Sequence, residues 1–127
     1  MATWINDIVH SVDGGLSLAP AVRTSSANGT AVDLLTTDGG GFAVIQTGVI
    51  TDGSHNVKLQ EGDASNGSDA VDITGATQAV ASTDGSKQFL VNFRRSKRYV
   101  RAVTTVGGSP STGGIVGVSV YAMRKAG

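Results

Sequence analysis

Between Gln88 and Val106 the chain reads QFLVNFRRSKRYVRAVTTV, and its apolar positions alternate: Phe89, Val91 and Phe93 fall on one side, Leu90, Asn92 and Arg94 on the other. Period-two alternation marks a strand whose two faces meet different surroundings, whereas a helix would repeat at about 3.6 residues. A short basic turn then leads into a second β-branched run over 99–106. Two neighbouring strands are predicted, rich in the Val, Phe, Tyr and Thr that suit a pleated, half-buried surface.

Short apolar runs punctuated by turn residues recur along the rest of the chain, which is the layout of an antiparallel sandwich or barrel. Strands are predicted over 16–23, 31–35, 42–50, 56–61, 70–73, 78–81, 88–93, 99–106 and 115–123, one more than the about eight of a jelly roll. Pro20 lacks an N–H, so the first run must be an edge strand or an irregular one. Phe42, Val44, Phe89, Val91, Val103, Val118 and Val120 are the expected core. The separators Asn28-Gly29, Asp38-Gly39-Gly40-Gly41, Asp52-Gly53, Asn66-Gly67, Asp84-Gly85 and Gly107-Gly108 supply the positive φ angles of tight hairpin turns. No helix-length pattern separates the runs, so parallel crossovers are not expected.

Residues 1–13 differ. Trp4, Ile5, Ile8, Val9 and Val12 recur at helical spacing ahead of Gly14-Gly15, which would stop a helix. The organisation read from the sequence is therefore an N-terminal arm or short helix over 1–15 and one β-sandwich domain over 16–127. The apolar stripe should not stay in water; it either plugs an open end of its own sandwich or anchors the chain to a partner.

Composition narrows the chemistry. The 127 residues include 18 glycines and no cysteine, so disulfides, thiolate metal sites and cysteine nucleophiles are excluded. No apolar run approaches the about 20 residues that span a bilayer, and no signal-peptide layout opens the chain, so no membrane is expected. Net charge is zero but divided: residues 1–86 hold ten acids against Arg23 and Lys58, a net −8, while 87–127 hold eight bases and no acid. Such a split can make a polyanion-binding face, and folding the halves together would as easily neutralise both.

Candidate chemical groups are few. His55 stands in Asp52-Gly53-Ser54-His55, where acid, hydroxyl and base crowd into one turn, but a catalytic triad needs a fixed geometry that turn neighbours seldom make. His10 lies in the N-terminal segment. Gly39-Gly40-Gly41 lacks the Lys-Ser/Thr of a phosphate loop and reads as a flexible hairpin. Asp63, Ser65, Asn66 and Asp69 resemble a calcium loop, yet Thr74 stands where the closing Glu belongs, so an acidic turn is expected. No cofactor or metal is implied. Arg94, Arg95, Lys97 and Arg98, with Arg101 beyond them, are the one concentrated charge feature. Flanked by strands and free of acids, they should present cations at one end of the sandwich. The six aromatic residues are too few for a base-stacking platform, so an acidic protein surface rather than nucleic acid is the expected partner.

Leu18-Ala19-Pro20-Ala21, Asn28-Gly29-Thr30-Ala31-Val32-Asp33-Leu34, Gly48-Val49-Ile50-Thr51-Asp52-Gly53-Ser54-His55 with Lys58-Leu59-Gln60-Glu61, and Lys97-Arg98-Tyr99-Val100-Arg101 with its Thr/Val/Gly-rich tail resemble small virion proteins of tailed bacteriophages. The resemblance spans residues 16–123 and leaves 1–15 uncovered. It implies a capsid decoration or cement protein, made in the host cytoplasm, that binds the outside of the assembled shell. Its partners would be the major capsid protein and itself, as a homodimer or homotrimer. A tail or head-completion protein of the same virion shares these features, and a carbohydrate-binding sandwich would need surface aromatics that are scarce here. Trp4, Ile5, Ile8, Val9, Arg94, Arg95, Lys97 and Arg98 are the expected interface residues.

Overall fold

The computed structural model describes residues 11–125. Strands β1 (Val12–Arg23), β2 (Ala27–Asn28), β3 (Val32–Asp33), β4 (Thr37–Ile50), β5 (Ser54–Gly62), β6 (Val71–Gln78), β7 (Gln88–Arg94), β8 (Tyr99–Gly107) and β9 (Gly114–Arg124) pair antiparallel throughout. They form two sheets. Sheet A has the order β1-β9-β4-β7, and sheet B the order β2-β8-β5-β6, with β3 also on β8. The described residues contain no α-helix.

One apolar cluster joins the sheets. Ala43 and Ile45 from β4, Val91 and Phe93 from β7, and Val116, Val118, Val120 and Ala122 from β9 meet Val57 and Leu59 from β5 and Val100 and Ala102 from β8. Fully burying each of the larger side chains is worth about 1.5–3 kcal/mol, and it is this shared interior that holds the layers face to face. Ser17 adds a polar stitch. Its hydroxyl donates to the Thr30 carbonyl at 2.7 Å and accepts from the Ala102 N–H at 2.8 Å, tying β1 to β8 across the layers. Gly29 passes so close that a Cβ there would lie 2.6 Å from the Ser17 carbonyl and 2.8 Å from that of Ala102.

Pro20 sits on β1, at the edge of sheet A, where the ladder to β9 is irregular: the register shifts between Leu16 and Leu18 and again between Leu18 and Ala21. An edge is where the missing N–H is tolerated, and the second of these shifts spans Pro20 itself.

Four expectations need correction. Phe42 and Val44 are not core: Ala43 and Ile45 are the buried apolar residues of β4, and the alternation puts Phe42 and Val44 on the opposite, outer face. The run Phe42-Ala43-Val44-Ile45 is apolar at every position, so periodicity alone gives no phase. Of the other expected core residues, Val91, Val118 and Val120 lie in the cluster, Phe89 packs against it, and Val103 is buried outside it.

The second correction concerns 78–81. Strand β6 absorbs Gln78, and the chain then leaves the sheet so that Val80 plugs the core, its N–H held by the Asn56 Oδ1 at 3.0 Å. Third, Gly39-Gly40-Gly41 is no hairpin; it lies inside β4, with Gly40 opposite Arg94 and Gly41 opposite Phe93. A Cβ on Gly41 would meet the Tyr121 carbonyl and stand 2.6 Å from the Phe93 ring, so glycine is what lets the strand pass.

Most Asn-Gly and Asp-Gly separators also make no hairpin. The loop over 63–70 joins paired strands, but the turns at Gly53 (φ +83°) and Gly108 (φ +80°) carry the chain from one sheet to the other. A positive φ fixes a local reversal, not which strand pairs with which. As for the N-terminal helix or arm, residues 1–10 lie outside the described residues. Val12 and Asp13 already belong to β1, and Gly14 and Gly15 continue it opposite Tyr121 and Val120 instead of ending an element.

Candidate assembly interface

Because β4, β7 and β9 turn alternate residues outward, their ladders set out rows on the outer face of sheet A. One row runs Leu16, Ser119, Val44, Leu90 across all four strands, and the next places Gly14, Tyr121, Phe42 and Asn92 in line. Leu90 is 65% exposed, Leu16 53% and Met123 49%. Phe42 and Tyr121 stack obliquely, ring centroids 5.6 Å apart and planes at 33°. At the far end of the same face Val22 and Val49 are exposed as well. Beside Phe42 the bare backbone of Gly40 leaves a hollow of about 610 Å³, rimmed by Asp38, Asn92, Arg94 and Met123.

The outer face of sheet B is polar by contrast. Lys58 pairs with Asp72 at 3.1 Å, Gln60 donates to Asp72 at 2.9 Å, and the Arg101 Nε donates to Gln60 at 3.0 Å. An apolar patch on one layer, here interrupted by Ser119, Asn92 and the Gln46–Gln88 pair, is the kind of surface that meets another molecule.

The basic turn does not form the cationic prow expected of it. Arg95 turns inward: its guanidinium donates to the Leu34 and Thr37 carbonyls at 2.6 Å each, to the Thr37 hydroxyl at 2.9 Å and to the Lys97 carbonyl at 3.0 Å. Arg98 forks onto Asp33, and Lys97 lies 3.6 Å from Asp63. Glu61 accepts the backbone N–H groups of Ser96 and Lys97 at 2.7 and 3.1 Å, closing the turn from below. Among the described residues three of the eight bases of the second half, Lys87, Lys97 and Arg98, thus pair with acids of the first, Asp84, Asp63 and Asp33. Of the four, Arg94 alone keeps an exposed side chain with no hydrogen-bond or ion-pair partner among the described residues. Trp4, Ile5, Ile8, Val9 and His10 lie outside the described residues.

The other candidate groups have structural employment. His55 is fully buried, its Nε2 3.1 Å from the Asp52 carbonyl and its Nδ1 without a partner. The Asp52 carboxylate is engaged elsewhere, accepting the N–H groups of Gly113, Ser111 and Thr112. These hold its pKa below the ordinary carboxylate value, Gly113 most strongly, then Ser111. No acid–imidazole couple forms. Asp69 likewise closes its own loop by accepting from the Asp63 and Ala64 N–H groups at 3.0 and 3.1 Å, which lower its pKa.

The residues that sequence reasoning missed are Leu16, Phe42, Val44, Leu90, Tyr121 and Met123. Their signal was present: Phe42-Ala43-Val44-Ile45 and the run over 115–123 are apolar on both faces, the pattern of strands covered from two sides. Comparison with protein-family models, curated proteins and solved structures finds no match to this chain.

Proposed function

We propose that the chain is a structural protein of a tailed-phage virion, a capsid decoration or cement protein that binds the outer surface of the assembled shell through its major capsid protein. The observation that carries this reading is the apolar patch on the outer face of sheet A, Leu16, Val44, Leu90 and Met123 around the Phe42–Tyr121 pair, which suits a protein surface. The sequence resemblance over 16–123 supplies the kind of assembly. With β2 and β3 counted as one strand broken at Gly29, we read the eight-strand order β1-β9-β4-β7 over β2/β3-β8-β5-β6 as a jelly roll, the fold the resemblance implies. A binding rather than catalytic role accords with the engagement of His55, Asp52 and Asp69 in holding loops.

Mass spectrometry of purified particles is expected to find the chain at a copy number set by the shell's symmetry. Leu90→Lys and Val44→Lys place charge on the outer face. They are expected to abolish loading onto undecorated shells while leaving the melting temperature within a few degrees of the unaltered chain. Absence from particles, or normal loading of both variants, overturns the reading.

A further inference from the structure

Nothing within the fold requires a glycine at position 40. Its φ lies outside the left-handed region, and an added Cβ would meet only the Arg94 Nη1, at an ordinary 3.7 Å. Glycine inside a strand weakens it and often marks a bulge or a place where another backbone or a ligand comes close; the register of β4 against β9 does shift between Thr37 and Gly41, but Gly40 keeps an ordinary φ and room for a side chain there. Two unspent charges flank the hollow it leaves. Asp38 and Arg94 are both exposed, and neither side chain has a hydrogen-bond or ion-pair partner among the described residues.

Their placement is self-complementary. Asp38 lies two residues from Gly40 along β4, about 6.8 Å at the usual strand rise, and Arg94 lies one strand across, about 4.8 Å away. A two-fold axis in the plane of contact, bisecting those two directions at Gly40, carries the Asp38 of one copy over the Arg94 of the other, and the reverse. The sheets then cross near a right angle, one of the two regular ways that sheets pack. The same operation seats Phe42 over the partner's Met123. We propose that this corner of sheet A pairs with a second copy of the chain, through reciprocal Asp38–Arg94 contacts around the Gly40 hollow. The proposal rests on the reading of that face as an interface, and it selects a dimer over a trimer.

Sedimentation velocity of the full chain at micromolar concentration is expected to show a dimer. Arg94→Asp or Asp38→Arg alone sets like charges against each other and is expected to weaken the dimer at least about tenfold, while the double exchange restores it. Gly40→Val fills the hollow without a clash in its own chain. It is expected to give a monomer that melts no lower than the unaltered protein, because valine suits a strand. A monomer or trimer mass for the unaltered chain overturns the proposal, as does a dimer that tolerates Gly40→Val or is not recovered by the double exchange. A monomer that still loads onto particles removes the dimer and keeps the virion reading. A dimer that behaves as described but is missing from particles does the opposite.

Discussion

Arg98 grips Asp33 across 65 positions of sequence, Nε on Oδ1 at 2.9 Å and Nη2 on Oδ2 at 2.7 Å. The fork links the end of β3 to the start of β8 and joins the acidic first half of the chain to the basic second half. The Arg98 guanidinium, followed by the Leu35 N–H, holds the Asp33 carboxyl below its ordinary value of 3.8. Asp13, Asp52, Asp69, Asp72 and Asp84 are lowered too, each by hydrogen bonds of its own.

A depressed folded pKa has one sign of consequence. The carboxylate's contribution is complete above the unfolded value and is lost as pH falls through the lower folded value. Thermal melts should therefore show no loss from these six groups between neutral pH and about pH 5, then a progressive decline in acid. Asp33→Asn should make that acid decline shallower. Both carboxylate and guanidinium are substantially exposed, so the difference from the unaltered chain at neutral pH should be small and should shrink further in molar salt.

Arg94 and Arg95 are neighbours with opposite fates, and their alanine variants should separate cleanly. Arg95→Ala strips the Leu34 and Thr37 carbonyls of a charged donor and frees the Lys97 carbonyl, so a loss of about 2–3 kcal/mol is expected in urea unfolding. Arg95→Lys should recover little of it, since an ammonium cannot reproduce the fork. Arg94→Ala should leave the urea midpoint of the monomer nearly unchanged.

Gly41 tests the close passage of β4. Any side chain there is driven into the Tyr121 backbone and the Phe93 ring, so Gly41→Val should cost about 1–3 kcal/mol even though valine favours strands. Equal stability of Gly41→Val and Gly40→Val by thermal melting would show that the two glycines are interchangeable.

The sequence made the strands legible where turn chemistry and alternation agree, as in Phe89, Val91 and Phe93 of β7, whose inward phase is that of the structure. It lost the phase in β4, because Phe42-Ala43-Val44-Ile45 offers no polar residue to mark the outside. It lost the pairing wherever Asp-Gly or Gly-Gly turned the chain between sheets, since partners there are chosen by the shared core and not by the turn. The charge split is an internal balance only in part, through Lys87, Lys97 and Arg98, and Arg95 could not be told from Arg94 without knowing that the Leu34 and Thr37 carbonyls lie beneath it. The apolar outer face was the largest omission, and two-sided apolarity of β4 and β9 was the cue.

His55 decides between a site and a core. A catalytic base must reach a substrate, whereas this ring is wholly buried, its Nε2 turned to the Asp52 carbonyl at 3.1 Å, with Gly114 packed so close that an added Cβ would lie 3.1 Å from it. The carboxylate a catalytic imidazole would need beside it is occupied by the N–H groups of residues 111–113. His55→Ala should therefore open a cavity at the sheet-to-sheet turn and lower stability by about 2–4 kcal/mol, as large-to-small changes in a core do. The protein that remains folded at low temperature should still load onto shells, because the ring lies far from exposure on either outer face. An unchanged melting temperature with loss of a hydrolytic activity in His55→Ala would instead make the imidazole a functional group, and would return the turn over 52–55 to candidacy as a site.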